Sequence, residues 1–401
     1  MYFYIFHSGS AIPQALKGTA ADPAMFMSER ELYLSSEYSK IRNFLFFVVT
    51  PVEWLVYLFI LLIGLSKWFE KIAKSQTKWT LLQNATYLFL LSLFLYLVLF
   101  PMNYYRYALS KRYGISTQDF SSWMRDGVID FWINFGMTVV IVSVLYWLIR
   151  KSTKRWWFYA WLLTIPFSIF VMFIQPVVID PLYNDFYPLK NKELEEKILT
   201  LAEQANIPSE HVFEVNMAEK TNALNAYVTG IGSNSRIVLW DTTLNRLTDN
   251  EILFIMAHEM AHYVEKDIYF GIAGYVLLSL VGLWLTAKSM AWMIRSYGSI
   301  IKIDKMTSIR SYPLFLLITS MLLFASSPLS NMVSRYQETR ADNYAIALTG
   351  QHEAAVTAFQ KLTKSGLSEV NPPLLVKWFR YSHPPMLERI NKVAEKEEEK
   401  K

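Results

Sequence analysis

Two histidines and a glutamate stand together at His258-Glu259-Met260-Ala261-His262. Residues four apart share one face of a helix, about 5–6 Å between Cβ atoms, so His258 and His262 can ligate a single ion. Glu259 lies about 100° further round, where its carboxylate reaches a metal-bound water rather than the metal. The flanking text predicts that helix. Thr248 and Glu251 have capping-box spacing, and the apolar residues Ile252, Leu253, Ile255 and Met256 follow directly. Two histidines leave a catalytic Zn²⁺ short, because such sites take three protein ligands and keep one position for water. The chain has no Cys, so the third ligand is His, Asp or Glu. The run NMVSRYQETRADNYAIALTG offers Glu338 and Asp342, four apart, with Arg335 three residues before Glu338. One carboxylate can bind the metal while the other holds a ligand histidine by its free ring N–H.

The elements that must position these groups lie mostly in a membrane. Of 401 residues 53% are hydrophobic and only 18% charged, against about 25% charged in ordinary soluble domains. That balance excludes a disordered chain, and the missing cysteines exclude a disulfide scaffold, thiolate metal sites and Cys nucleophiles. The net charge of +5 needs no nucleic acid to explain it. About 20 apolar residues cross a bilayer. Six stretches qualify, near Phe44–Leu65, Leu81–Met102, Phe131–Ile149, Trp156–Ile179, Phe270–Ile294 and Tyr312–Leu329, with Trp and Tyr crowding their ends. A buried charge costs about 2.5–3.5 kcal/mol at mid-membrane, so Glu53 is expected to face other helices or an aqueous space.

The expected fold is therefore mainly α: a polytopic helical membrane protein of about six spans, with a split α+β zincin-like catalytic domain. Residues 1–43 read as an interfacial segment, since they lack a basic start and contain Pro13. Residues 44–180 hold four spans, 181–268 the first catalytic half, 269–330 two spans, and 331–401 the second half with its charged tail. In the first half a helix is predicted over Leu189–Ala205. Short strands follow near His211–Asn216, Ala226–Thr229 and Arg236–Asp241, the last two separated by the turn-rich GIGSNS. Two spans, an even number, separate the halves, so both emerge on one side.

The succession HEMAH, two spans, SRYQETRAD and then YSHPPMLERI resembles the membrane zinc metalloprotease family of the type I CAAX prenyl protease and HtpX. The run NALNAYVTGIGSNSRIVLWDTTL is similar to that family's substrate-strand region, and the layout is nearer the CAAX prenyl protease branch. The resemblance implies His258, His262 and Glu338 as ligands of one Zn²⁺, with Glu259 as general base. It further implies that Asp342 orients a zinc-bound histidine and that His383 stabilises the oxyanion. Asn225, Ala226 and Tyr227 would lie on the strand that pairs with the substrate backbone. It also implies one more N-terminal span, which hydropathy does not show.

The function expected is a zinc metalloendopeptidase acting at the bilayer on membrane-associated or lipid-modified proteins. The alternatives are a quality-control protease of the HtpX type, a metal-binding transporter and a non-catalytic scaffold. An intramembrane protease of the site-two kind is disfavoured, because Glu265, Lys266 and Asp267 follow the histidine motif at once. For orientation two arguments conflict. The short loops opposite the catalytic halves are the more basic, which by the positive-inside rule puts the metal site outside the cytoplasm. The family resemblance implies the cytoplasmic side.

Overall fold

A computed structural model describes residues 1–7, 11–208, 211–229 and 236–398. The run GIGSNS, at 230–235, lies outside the described residues. The chain opens with α1 (Tyr2–His7), α2 (Glu29–Ile63), α3 (Leu65–Gln76), α4 (Thr80–Arg112), α5 (Phe120–Lys151) and α6 (Trp156–Ile174). A polar segment follows: β1 (Phe186–Pro188), α7 (Lys192–Gln204), β2 (Val212–Val215), β3 (Ala226–Thr229), β4 (Arg236–Trp240), α8 (Asp241–Arg246) and α9 (Asp249–Val264). Then come α10 (Asp267–Tyr297), α11 (Tyr312–Thr349), α12 (His352–Gly366), α13 (Leu374–Arg380) and α14 (Met386–Glu398).

Among the described residues, six helices are long and apolar enough to cross a membrane: α2, α4, α5, α6 with the turns after it, α10 and α11. They carry the six apolar runs, but several extend well beyond them. The first begins at Glu29, ahead of Phe44, because Ser28 and Glu31 close a capping box. The Ser28 N–H donates to Glu31 Oε2 at 2.7 Å and the Glu31 N–H to Ser28 Oγ at 3.3 Å. This extension is docked on protein. Ser35 and Ser39 donate to the carbonyls of Ser368 and Leu367, each at 3.1 Å, and Asn43 Nδ2 to Glu369 Oε2 at 3.2 Å. The start of the chain is also packed, with Ile5 of α1 buried against Phe47 and Val376.

Two large hydrophobic cores form among the described residues. One lies within the bundle, among α2, α3, α4, α5, α10 and α11. The other joins α7, the sheet, α9, α12, α14 and the far end of α11, so the two polar stretches fold as one body. Its sheet has the order β1-β2-β4-β3, with β2 and β4 parallel and the outer pairings antiparallel, which makes β3 an edge strand. The connection between α4 and α5 meets this body too. The Thr117 N–H donates to the Lys220 carbonyl at 3.1 Å, and Lys220 Nζ pairs with Asp126 at 2.6 Å.

Helix α11 is both the sixth span and a catalytic element. Nine residues separate Leu329 from Glu338, which at 1.5 Å per residue carries Glu338 about 14 Å past the apolar end. There α11 packs against α9. Between α9 and α10 the chain breaks at Lys266, whose φ of 58° is left-handed, and so the histidine helix does not run on into the fifth span. Arg340 of α11 pins this corner by an ion pair to Glu265, with Asp267 Oδ1 3.8 Å away.

Candidate metal centre

Helix α9 starts as the text predicts, with Thr248 as N-cap and Glu251 completing a capping box. Ile252, Phe254, Met256, Ala257, Met260 and Ala261 are buried in the second core. The 3.6-residue period therefore turns His258, Glu259 and His262 toward a cleft and the end of α11. The two imidazole centroids stand 5.1 Å apart with ring planes at 88°.

Glu338 sits between them. His258 Nε2 is 3.2 Å from Glu338 Oε2, and His262 Nε2 is 3.4 Å from Glu338 Oε1. One ligand atom from each of the three residues falls within 4.8 Å of the others. Glu338 Oε2 is buried and makes no hydrogen bond among the described residues. A cation held by the three groups satisfies that oxygen, so the residues present fit a metal ion. Burial opposes a charged His258, but the neighbouring carboxylates of Asp342 and Glu338 outweigh it and raise its pKa to about 10. The carboxylates that hold a proton there are equally able to hold a metal cation. Burial raises the Glu259 carboxyl above its usual range, in the direction that suits a group exchanging protons near neutrality.

Each histidine is backed by a carboxylate. His258 Nδ1 is 2.8 Å from Asp342 Oδ1, and His262 Nδ1 is 2.9 Å from Asp267 Oδ2. Asp342 is gripped by the buried Arg389, Nε at 2.9 Å and a terminal nitrogen at 2.6 Å. Arg389 is in turn stacked on Phe359, its guanidinium carbon 4.3 Å from the ring centre. From the sequence Asp342 is expected beside a ligand histidine, Asp267 figures only as a charge that follows the motif, and Arg389 has no expected role. Asp267 follows the histidine motif by five residues and Arg389 lies inside YSHPPMLERI, but neither has a spacing that marks it.

His383 arrives from the loop between α13 and α14, with Nε2 3.4 Å from Glu338 Oε1. Ser382 Oγ lies 3.0 Å from His383 Nδ1; a hydroxyl donated there leaves the ring hydrogen on Nε2, the atom facing the centre. Arg335 stands about one turn before Glu338 on α11. It donates to the carbonyls of Tyr381 at 2.7 Å and Lys377 at 3.1 Å, so it holds the His383 loop instead of a ligand. Asn225 and Ala226 line the cleft with His258 and Glu259, whereas Tyr227 does not. The Trp240 N–H donates to the Asn225 carbonyl at 3.2 Å, and β3 and β4 pair Tyr227 with Val238. Ladder alternation then turns the N–H and C=O of Ala226 and Val228 toward the free edge. Asn225 Oδ1 accepts the Ala226 N–H at 3.0 Å.

The sequence model described as peptidase family M48 matches residues 188–397, and the one described as CAAX prenyl protease N-terminal, five membrane helices, matches residues 6–185. The "Uncharacterized metalloprotease YhfN" of Bacillus subtilis (strain 168) is 55% identical over 99% of this chain and 93% of its own length. The chain belongs to peptidase family M48. It is a multi-pass membrane metalloendopeptidase, and a metal ion goes with the family. The "CAAX prenyl protease 1 homolog" of Arabidopsis thaliana is 28% identical over 92% of this chain and 88% of that relative. The crystal structure of Ste24p from S. mikatae matches with a TM-score of 0.80 at 24% identity, covering 98% of this chain and 95% of that one. That likeness bears on the fold. Within residues 6–185 this M48 chain has four long apolar helices among the described residues, with the shorter α3 between the first two.

Proposed function

We propose that this M48 protease uses zinc to hydrolyse peptide bonds in membrane-associated or lipid-modified proteins, in the manner of the CAAX prenyl proteases. The carrying observation is the convergence of His258, His262 and Glu338 from two separate helices beside Glu259. Those three residues would hold the metal. A zinc ion bound by two histidines and a carboxylate supplies Lewis acidity and brings water's pKa down to about 7. Glu259 takes the proton of the attacking water and returns it to the leaving amine. His383 Nε2 donates to the carbonyl oxygen as charge develops, a contribution whose loss typically lowers rate about 10²–10³-fold. Asp342 and Asp267 fix the tautomer and aim of His258 and His262, and Arg389 keeps Asp342 in place.

The peptide lies along the free edge of β3, which recognises main chain and is loose in sequence. A lipid-modified substrate is supported by the far end of β3. Val228 and Thr229 share an apolar cavity with Val171, Met172, Phe173 and Val177 of the fourth span and the turns after it. A residue entering there has an acyl- or prenyl-compatible surface beside it. The test is turnover of a quenched peptide by purified protein, with metal analysis of the same samples. Chelation should abolish cleavage and zinc restore it. Glu259→Gln should retain about one metal per chain yet lose activity; wild-type turnover in that variant sinks the assignment.

A further inference from the structure

Two turns on the face opposite the metal centre carry positive charge that their surroundings do not neutralise. Helix α2 runs from the catalytic body to Ile63, and α5 from the 113–119 connection to Lys151, so the α3–α4 and α5–α6 turns share that face. On α3, Lys67, Lys71 and Lys74 recur at i, i+4 and i+7 and form one stripe, while Ser66, Phe69, Glu70 and Ala73 are buried behind it. Lys74 is paired with Glu70 at 2.9 Å, and that carboxylate also accepts from Ser308 Oγ at 2.5 Å and lies 3.5 Å from Arg310 Nε. Lys67, Lys71 and Lys78 are exposed, as are Arg150, Lys151 and Lys154. Their side chains make no hydrogen bond or ion pair among the described residues. No Asp or Glu occurs from 71 to 118 or from 131 to 179, so neither turn holds an acid that could answer them.

The two turns stand at one height. Asn84 Nδ2 of α4 donates to Ser143 Oγ of α5 at 3.2 Å. Counted along the chain from that bond, Lys78 and Arg150 both lie about 9–11 Å beyond it, toward the turns. Exposed tryptophans mark almost the same height, Trp79 just before α4 and Trp147 near the end of α5. Indole rings exposed at the ends of spans sit at the headgroup level of a bilayer, and the anions at that level are phospholipid phosphates. We propose that these two turns form a binding surface for anionic phospholipid, with Lys67, Lys71 and Lys78 on one turn and Arg150, Lys151 and Lys154 on the other. The surface bears on the rest of the molecule through α3. Ser66 Oγ donates to the Arg310 carbonyl at 2.8 Å, and Glu70 holds Ser308, so a headgroup that fixes α3 also fixes the turn that leads into α11. The proposal is independent of the substrate and of which leaflet the turns occupy.

The test exchanges full-length protein into detergent micelles doped with equal amounts of phosphatidylglycerol and phosphatidylcholine. Lipid retained through gel filtration is then counted by mass spectrometry. One basic side chain near an anionic surface raises affinity about fivefold, so wild type should retain phosphatidylglycerol over phosphatidylcholine by about tenfold or more. Lys67→Gln, Lys71→Gln and Lys78→Gln combined should lower that preference several-fold, and so should Arg150→Gln, Lys151→Gln and Lys154→Gln combined. All six together should bring it close to one, with metal content unchanged as the sign of an intact fold. Lys17→Gln, Arg30→Gln and Arg112→Gln combined remove as many exposed cations from the catalytic side and should leave the preference as it was. Equal retention of the two lipids by wild type overturns the proposal, and is the result expected if the cations serve an acidic soluble protein instead. A preference that survives all six substitutions overturns it as well. So does an equal loss in the Lys17, Arg30 and Arg112 variant, since net charge alone would then account for it. Phosphatidylglycerol should also raise the melting temperature of wild type and not that of the six-substitution variant; an equal rise in both would place the lipid elsewhere.

Discussion

At the residue scale the centre is built in layers of unequal visibility. The histidines and Glu259 are legible because spacing on one helix is a local property. Glu338 and Asp342 are legible as a pair, four apart on α11, but only contact with α9 distributes their roles. The structure places Glu338 between both imidazoles and Asp342 behind His258 alone. Loss of metal should follow that division. Glu338→Ala should purify with little bound metal. Asp342→Ala and Asp267→Ala should each weaken metal binding about 10–100-fold while keeping the site's stoichiometry at saturating zinc. Competition with a zinc chelator of known affinity measures all three, and equal affinities throughout would mean that the ligands lie elsewhere. Arg389 escaped the sequence reading because its partner stands 47 positions away. No periodicity reports such a contact.

At the element scale the decisive features are two helix ends and one strand edge. The Thr248–Glu251 capping box is plain in the text and is found where expected. The equivalent Ser28–Glu31 signal is just as plain, but the polar residues after it masked a helix that continues into the first span. Ser35, Ser39 and Asn43 among them are polar because they hydrogen-bond to the 367–369 loop, whereas Glu29, Arg30 and Glu37 face outward. Strand β1 went unread, since three residues carry no alternation. The edge of β3 yields a prediction that ladder parity makes specific. Val228 turns its N–H outward, so Val228→Pro removes a donor to the substrate without taking one from the pairing with β4. It should lower kcat/KM by about tenfold or less with metal content and melting temperature preserved. Tyr227→Pro, at an inward-bonding position, should instead destabilise the protein. Peptide turnover beside thermal melts tells the two apart, and normal turnover by Val228→Pro would mean that the substrate does not use this edge.

At the scale of the whole molecule, parity constrains what no single residue can. The 113–119 connection is hydrogen-bonded to the catalytic body, and α5 leads from it across the membrane to the basic turn that holds Lys154. Helix α6 returns the chain to β1 and α7, where Glu203 is exposed. Lys154 and Glu203 must therefore lie on opposite faces of the bilayer, whichever face the metal centre occupies. The native chain has no cysteine, so Lys154→Cys and Glu203→Cys each give a single reactive thiol. A membrane-impermeant maleimide on sealed cells should label one of them, and the other only after permeabilisation. Labelling both from one side would break the six-span path that brings α9 and α11 together. The identity of the labelled site decides between the two orientation arguments. If it is Lys154, the basic loops are external and the positive-inside bias has yielded to the folding of the catalytic body, which needs both of its halves on one side before the metal can be bound.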